Sequence, residues 1–389
     1  MSKLNKNSWP SVPLGECCQI VSGSTPRRDT PEYWDGEITW ATPKDLSRLT
    51  GDVLNETADK ITKAGLQSCS TKMLPKGTVL FSSRAPIGLV AIAGKPMCTN
   101  QGFKNFVPGE NVNSSYLYWT LRKMAPRIQD MGNGATFKEV SKSVIERVEI
   151  PLPLKDEQMR IAAILNQADS IRRDRLMIAE DSKNLCPAIF HHMFRAVSGR
   201  LSGKYIAEKD SNLGRELIEK GWKHTAIGRE ITLQRGIDIT KREHVAGDIP
   251  VISSGGVNGF HNEAVAKGPG VILGRKGSVG SVHYVDVDYW PHDTTLWVKE
   301  FNGNIARFVY EFFRQFPISQ YEASTANPSL NRNNLHPVNV WWPPVSEQQR
   351  FADYCEAFDK KLKPKLADAS QESDDLFNSL IQRAFKGEL

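Results

Sequence analysis

Ile150–Ile161 reads IPLPLKDEQMRI, and Val340–Phe351 reads VWWPPVSEQQRF. Each joins an apolar, proline-bounded edge to a Glu-Gln-x-Arg core, and each opens a helix-forming run. Glu157 and Glu347 lie 190 residues apart. At the same offset, GATFKEVSKSVIERVEI before the first core aligns with STANPSLNRNNLHPVNV before the second, without a gap. Farther upstream, Trp9–Gly23 (WPSVPLGECCQIVSG) matches Trp222–Gly236 (WKHTAIGREITLQRG) at an offset of 213. The shared features there are the Trp, an aliphatic-Gly pair (Leu14-Gly15, Ile227-Gly228) and the closing Gly. The chain therefore repeats itself once, and the second copy is 23 residues shorter in its middle. Matching edges around a diverged centre indicate one scaffold used twice with different contents.

Between the edges, Val79–Arg84 (VLFSSR), ending at Gly88, resembles Val271–Arg275 (VILGR), ending at Gly280. Both follow a Lys-Gly turn. Both read as an apolar strand, a turn exposing Arg, and a second strand.

A long helix follows each edge. Asp156 and Ser346 are the expected N-caps, with Glu157 and Glu347 in the first turn, where the helix dipole favours acids. The first helix is expected over Glu157–Phe194, with a seam of Ile161, Ile164, Ala168, Ile171, Ile178, Leu185 and Ile189 at steps of three and four. The second is expected over Glu347–Lys386, with Phe351, Cys355, Phe358, Leu362, Leu366, Ala369, Leu376 and Leu380 and a stutter near Leu362. Pro187 and Pro364 predict a kink or a local break in each. Two apolar stripes in one chain can bury each other, which predicts an antiparallel coiled-coil pair. Separate packing of each helix on its own domain is the alternative.

The expected fold class is mixed α/β (α+β): two domains in pseudo-twofold repeat, joined by two long antiparallel coiled-coil helices. The boundaries read 1–155 for the first domain, 156–195 for its helix, 196–221 for a polar linker with a short helix near Leu213–Lys220, 222–345 for the second domain and 346–389 for the last helix.

A chain of 389 residues exceeds one core. Its formal charge of +6 permits nucleic acid as a partner. No apolar run approaches the roughly 18 residues of a membrane span. Met1–Pro10 is polar and has no signal-peptide core, so a cytoplasmic location is expected. The six cysteines form no C-x-x-C pair and read as reduced thiols. There is no dinucleotide fingerprint, P-loop, H-E-x-x-H or EF-hand. Gly268–Gly280 fits a strand and turns, and Asn327-Pro328-Ser329-Leu330 lacks the second Pro and aromatic of a base-flipping methyltransferase loop. His191 and His192 point about 100° apart on a helix, too divergent to chelate one ion. No catalytic, cofactor-binding or metal-binding residue is expected.

What the loops do carry is DNA-contact chemistry. The first copy has Thr25, Arg27, Arg28, Lys44, Ser83, Arg84, Lys138 and Lys142, and the second has Arg235, Ser253, Ser254, Arg275, Lys276, Asn327, Asn331 and Arg332. Arg and Lys pair with phosphates or guanine edges, and Asn pairs with adenine. Arg84 and Arg275 are the base-reading candidates; Lys138, Lys142 and Arg332 are the phosphate candidates.

These residues resemble the specificity subunits of type I DNA restriction–modification enzymes. The carriers are the W-x-x-x-x-L/I-G strings at Trp9 and Trp222, Ser22–Pro26 (SGSTP), Ile38–Leu46 (ITWATPKDL), Ser83–Gly88 (SRAPIG), Asn100–Phe103 (NQGF), Pro151–Pro153 with Glu157-Gln158, and Leu380–Gly387 (LIQRAFKG). The resemblance spans essentially the whole chain. It implies two target recognition domains, each reading one half of a split double-stranded DNA site, with the helix pair fixing their spacing. It also implies two adenine methyltransferase subunits as partners, which bind S-adenosylmethionine, and restriction–translocation subunits, which use ATP and Mg, as further partners. This chain itself would hold no cofactor and catalyse nothing. The second copy departs from the pattern: Asp248–Ser254 (DIPVISS) replaces the I-x-W string, and Ala326–Arg332 (ANPSLNR) replaces TFKEVSK. Two other classes compete with this reading. A stand-alone DNA-modifying enzyme would methylate or cut by itself, and a structural coiled-coil adaptor would bind proteins and no DNA.

Overall fold

The computed structural model describes residues 9–132, 138–194, 212–322 and 328–389. Asn327 and most of the expected linker lie outside them. The chain forms two compact units, Met1–Leu176 with Ala369–Leu389, and Met177–Asp368.

In the first unit, β1 (Cys18–Ser22), β2 (Val53–Leu54), β3 (Val79–Ser82), β4 (Val90–Ala93) and β5 (Phe103–Pro108) form a sheet of order β1-β5-β3-β4-β2. Val79, Leu80 and Phe81 are all fully buried, as expected of a central strand covered on both faces. Helix α1 (Ser114–Asp130) packs on β3 and β4. A small sheet sets Trp34–Ala41 beside antiparallel Lys60–Ile61 and parallel Cys98–Thr99. A short ladder pairs Ser11–Pro13 with Glu149–Pro151.

The second unit repeats this plan. β6 (Thr232–Arg235), β7 (Gly270–Gly274), β8 (Val282–Val285) and β9 (Thr295–Glu300) take the order β6-β9-β7-β8, the same path as β1-β5-β3-β4. Ile249–Ser253 lies between antiparallel Gly256–His261 and parallel Trp290–Pro291. The DIPVISS string thus occupies the strand position that ITWA occupies in the first copy. Lys223–Ala226 pairs with Asn339–Trp342.

The residues shared by the two copies make the same contacts in both. The amide of Leu14 donates to the Val148 carbonyl at 2.9 Å, and that of Ile227 to the Val338 carbonyl at 3.0 Å. Gly15 and Gly228 follow because the chain passes Glu146 and His336 closely; a Cβ on Gly228 would sit 2.8 Å from the His336 Cβ.

The Gln of each Glu-Gln core is fully buried. Gln158 accepts from the amide of Asn113, the residue that caps α1, and donates to the carbonyls of Asn111 and Pro153. Gln348 accepts from the amide of Ile305, which precedes helix α4 (Ala306–Gln315), and donates to Asn304 Oδ1 and the Pro343 carbonyl. Each Gln satisfies groups that would otherwise be orphaned at a helix start, and so fastens the long helix to its domain.

The long helices begin two residues before expectation. Helix α2 covers Lys155–Ser182, and helix α5 covers Val345–Ala357 with Pro344 as N-cap, so Asp156 and Ser346 lie inside the first turn rather than capping it. The first expected helix is broken: α2 ends at Ser182, and helix α3 (Leu185–Met193) starts after Asn184. The local break expected at Pro187 falls just before it, so that Pro187 sits in the first turn of α3, where its missing N–H costs nothing. The second run is continuous: α5 passes through a π-helical turn, Phe358–Leu362, into helix α6 (Lys363–Ala384). That turn absorbs the stutter expected near Leu362 and precedes Pro364.

Within each unit the helix segments run antiparallel. In the first, Arg172 reaches Asp374 (3.5 Å), Arg175 reaches the Ala369 carbonyl (2.8 Å) and Arg160 reaches the Leu389 carbonyl (2.7 Å). In the second, Phe190 packs on Phe351 with centroids 5.5 Å apart. The expected seam is correct at Ile161, Phe351, Cys355 and Phe358, which are buried. It needs correction elsewhere. Ile171, Ile178, Leu362 and Leu376 are 48%, 51%, 45% and 60% exposed, while Ile164, Ala168, Leu185, Ile189, Leu366 and Leu380 are half-buried. The buried stripe is instead Gln158, Ile161, Ala162, Leu165 and Asp169 on α2, Cys186 and Phe190 on α3, and Ser373, Phe377 and Ala384 on α6. The shift arises because each helix also packs on its own domain: Trp119 of α1 donates to Asn166 and meets Phe377 edge-on. The mutual-burial and own-domain readings of the helices are thus both partly correct. Among the described residues, no helix is long and apolar enough to cross a membrane.

Candidate nucleic-acid interface

The hydrogen bonds fix which loop residues correspond. Ser82 and Gly274 each close the same turn, receiving the amides of Gly88 and Gly280 respectively. The Ser83 amide donates to Gly102 and its carbonyl accepts from Val140; the Arg275 amide donates to Thr294 and its carbonyl accepts from Leu330. Ser83 therefore matches Arg275, and Arg84 matches Lys276. The sequence pairing of Arg84 with Arg275 is off by one residue. Two arginines at the ends of similar apolar strands suggested it, and only the turn geometry corrects it.

In the first unit, Arg84 is half-exposed and ion-paired with Glu139 at 2.8 Å; the nearly buried Lys104 Nζ reaches the same carboxylate at 3.3 Å. Burial pushes the Glu139 carboxyl up, but hydrogen bonds from Arg84 and Lys104 outweigh it and hold the group below its ordinary value. Ser83 is fully buried, with its hydroxyl directed at the Gly102 carbonyl, so it faces no ligand. Lys138 is exposed, and Lys142 is exposed beside Glu146 at 3.5 Å. Thr25 bonds the Gln101 side chain. Arg28 pairs with Asp59 at 2.7 Å and lies over the Trp34 ring at 3.9 Å, while Arg27 and Lys44 are exposed. Among the first-copy candidates, Arg84 thus meets Glu139 and Arg28 meets Trp34.

In the second unit, an open cleft of about 930 Å³ gathers Arg235, Arg275, Asp293, Asn331 and Arg332. Arg235 pairs with the Asp293 carboxylate at 2.9 Å, and Arg275 donates to the Asp293 carbonyl at 3.2 Å. Burial, and then the charge of Arg235, push the Arg275 guanidinium below its ordinary value. Asn331 caps the short helix Arg332–Leu335, as Ser141 caps Lys142–Glu146. Ser253 uses its hydroxyl on the Gly256 carbonyl. Ser254 is buried, and its carbonyl accepts from Ser281. Both serines are therefore turn-builders rather than free contacts. Lys276 is exposed.

Sequence reasoning missed Lys104, Glu139, Gln101 and Asp293. A lysine inside the apolar strand β5 was the available signal for Lys104; nothing local marks Asp293. Asp238, His292 and Asp293 bring ligand atoms within 4.8 Å of one another, but Arg235 already occupies Asp293, and its charge opposes a cation there.

A family model described as the type I restriction modification DNA specificity domain matches residues 6–176 and again 220–368. The chain belongs to this specificity family. The double match is the internal repeat seen as two specificity domains. The chain is 33% identical over 237 residues to the type I restriction enzyme MjaIX specificity subunit of Methanocaldococcus jannaschii, which covers 60% of this chain and 54% of that protein. It is 21% identical over 359 residues to the EcoprrI specificity subunit of Escherichia coli, covering 90% and 87%. A solved chain, from work on complex assembly and conformational transition of the type I R-M system, matches across 100% of both chains with a TM-score of 0.65 at 16% identity, and so shares this fold.

Proposed function

We propose that this chain is the DNA sequence-reading subunit of a type I restriction–modification complex, without a catalytic centre of its own. The observation that carries the reading is one hydrogen-bonded scaffold built twice with different charged side chains at matched loop positions. Two such readers suit a split double-stranded DNA target. Arg84 in one unit, and Arg275 with Lys276 in the other, are the base-reading candidates; Lys138, Lys142 and Arg332 suit phosphates. Two adenine methyltransferase subunits supply S-adenosylmethionine and the methyl transfer. Restriction–translocation subunits supply ATP- and Mg-dependent chemistry. The apolar groove of the first unit, with exposed Ile171 and Leu376, offers these partners a surface. The cytoplasm is the compartment where such a chain meets DNA.

The test is a methylation map. The chain is expressed with its cognate methyltransferase subunit in a methylation-free host, and the DNA is sequenced for modified adenine. A split motif with two short defined parts is expected. A stable complex that leaves no split motif refutes the reading.

A further inference from the structure

The two units differ most where their backbones agree. Gly23 and Gly236 are the matched closing glycines, so Arg235 stands where the first unit has Ser22. The amides of Ser83 and Arg275 go to Gly102 and Thr294, so Asp293 stands where the first unit has Gln101. Three neutral residues, Ser22, Ser83 and Gln101, are thus exchanged for Arg235, Arg275 and Asp293. On a duplicated scaffold, such an exchange changes what the surface reads without changing what holds it.

The new set is built rather than loose. The Arg275 backbone is bonded on both sides, to Thr294 and Leu330. Asp293 is mostly buried and spends its carboxylate on Arg235. That leaves Arg275 without an ion pair within 4.0 Å among the described residues: its guanidinium donates to the Asp293 carbonyl. A fixed, half-buried guanidinium facing an open cleft calls for acceptors. A phosphate or a base edge supplies acceptors; Arg332 in the same cleft suits the phosphate, which leaves Arg275, tied to the Asp293 carbonyl, for a base edge. Two acceptors on one edge suit the guanidinium fork, and guanine offers them as N7 and O6 in the major groove. Adenine and thymine each offer one acceptor there.

We infer that this cleft reads a G·C base pair in the second half-site, with Arg275 as the guanine contact, Arg235 beside it and Asp293 as the positioning residue. The inference rests on the DNA-reading function proposed above.

The experiment compares methylation maps of the complex carrying the wild-type chain, R275A, R275K and R235K. Lysine keeps the charge but lacks the rigid planar fork, so its contact to N7 and O6 is weaker and less fixed. The wild type should show a G·C pair in the second half-site. In R275A and R275K one such position should lose discrimination by about 5–150-fold, with the first half-site unchanged. R235K should relax the same position or its neighbour. A wild-type split motif without G·C in the second half-site overturns the inference. So does a motif that survives R275K and R235K intact, or an R275A loss that is uniform over all sites while R275K restores it, which marks a phosphate contact. The last three results leave the proposed function standing, whereas absence of any split motif in the wild type removes the function and the inference together.

Discussion

Replacing Gln348 by methionine keeps the length and volume of the side chain and deletes its polar end. Two groups then lose their partners inside the second unit, the Ile305 amide and the Pro343 carbonyl. Asn304 Oδ1 is spared, because Trp342 Nε1 still donates to it at 2.7 Å. A buried orphan costs about 1–3 kcal/mol, so Q348M should lose about 2–6 kcal/mol, with little added for a cavity. Urea unfolding of the full chain, followed by tryptophan fluorescence, is a direct assay, since Trp342 belongs to the same network. A drop below about 1 kcal/mol would mean that water or a rearranged backbone satisfies those groups, and that Gln348 does not fasten the helix to its domain. Q158M should act alike in the first unit, where the orphans are the Asn113 amide and the carbonyls of Asn111 and Pro153.

His336 accepts from the Leu233 amide, and burial, then Arg332, lower its pKa. The folded state thus prefers the neutral ring, and its contribution should be complete above about pH 6.5 and fade as pH falls below that. Denaturation midpoints across pH 5–8 should show this slope, and H336Q, which keeps an acceptor, should flatten it; an unchanged slope assigns it to other groups. G236A should destabilise the second unit by about 2 kcal/mol or more, because its Cβ would collide with the His292 carbonyl oxygen; a thermal midpoint within 1 °C of wild type would show that the loop yields. R84A should damage recognition of one half-site alone, read from the methylation map, and equal loss at both would argue against local reading. Binding of the complex to non-cognate DNA should weaken steeply with salt, and indifference to salt would exclude phosphate contacts by the exposed lysines.

How much of this was legible beforehand varies with the kind of signal. The repeat, the paired domains and the helix after each copy were readable because they rest on residues with fixed duties: Gly228 against His336, Leu14 and Ile227 in matching bonds, and the Gln of each core. The helix seam was only half readable. A periodicity scan assumes one partner per helix, whereas α2 faces both its own domain and α6, so the buried stripe moves to Leu165 and Asp169 and leaves Ile171 outside. Asp169 shows the limit well, since a carboxylate 2% exposed is stable only because Arg172 and Arg173 reach it at 2.8 and 3.3 Å. The site was readable by residue type but not by register. Ser83 and Arg84 are adjacent, yet one is sealed under Gly102 and the other reaches solvent, and no local pattern separates them. Asp293 lies far in sequence from Arg235, and the pair exists only once β6 and β9 have met.

The first unit is assembled from both ends of the chain: Phe377 and Ala384 complete a core begun by Leu14, Trp119 and Leu165. During synthesis that core stays open after Leu176 has emerged, until Ala369–Leu389 have also been made. Roughly two hundred residues intervene, and at about 5–20 residues per second the wait lasts about 10–40 s. Over that interval Trp119 and Leu165 lack their cover, while the second unit, lying wholly between the two pieces, can close first. The first unit therefore waits on residues made after the whole of the second.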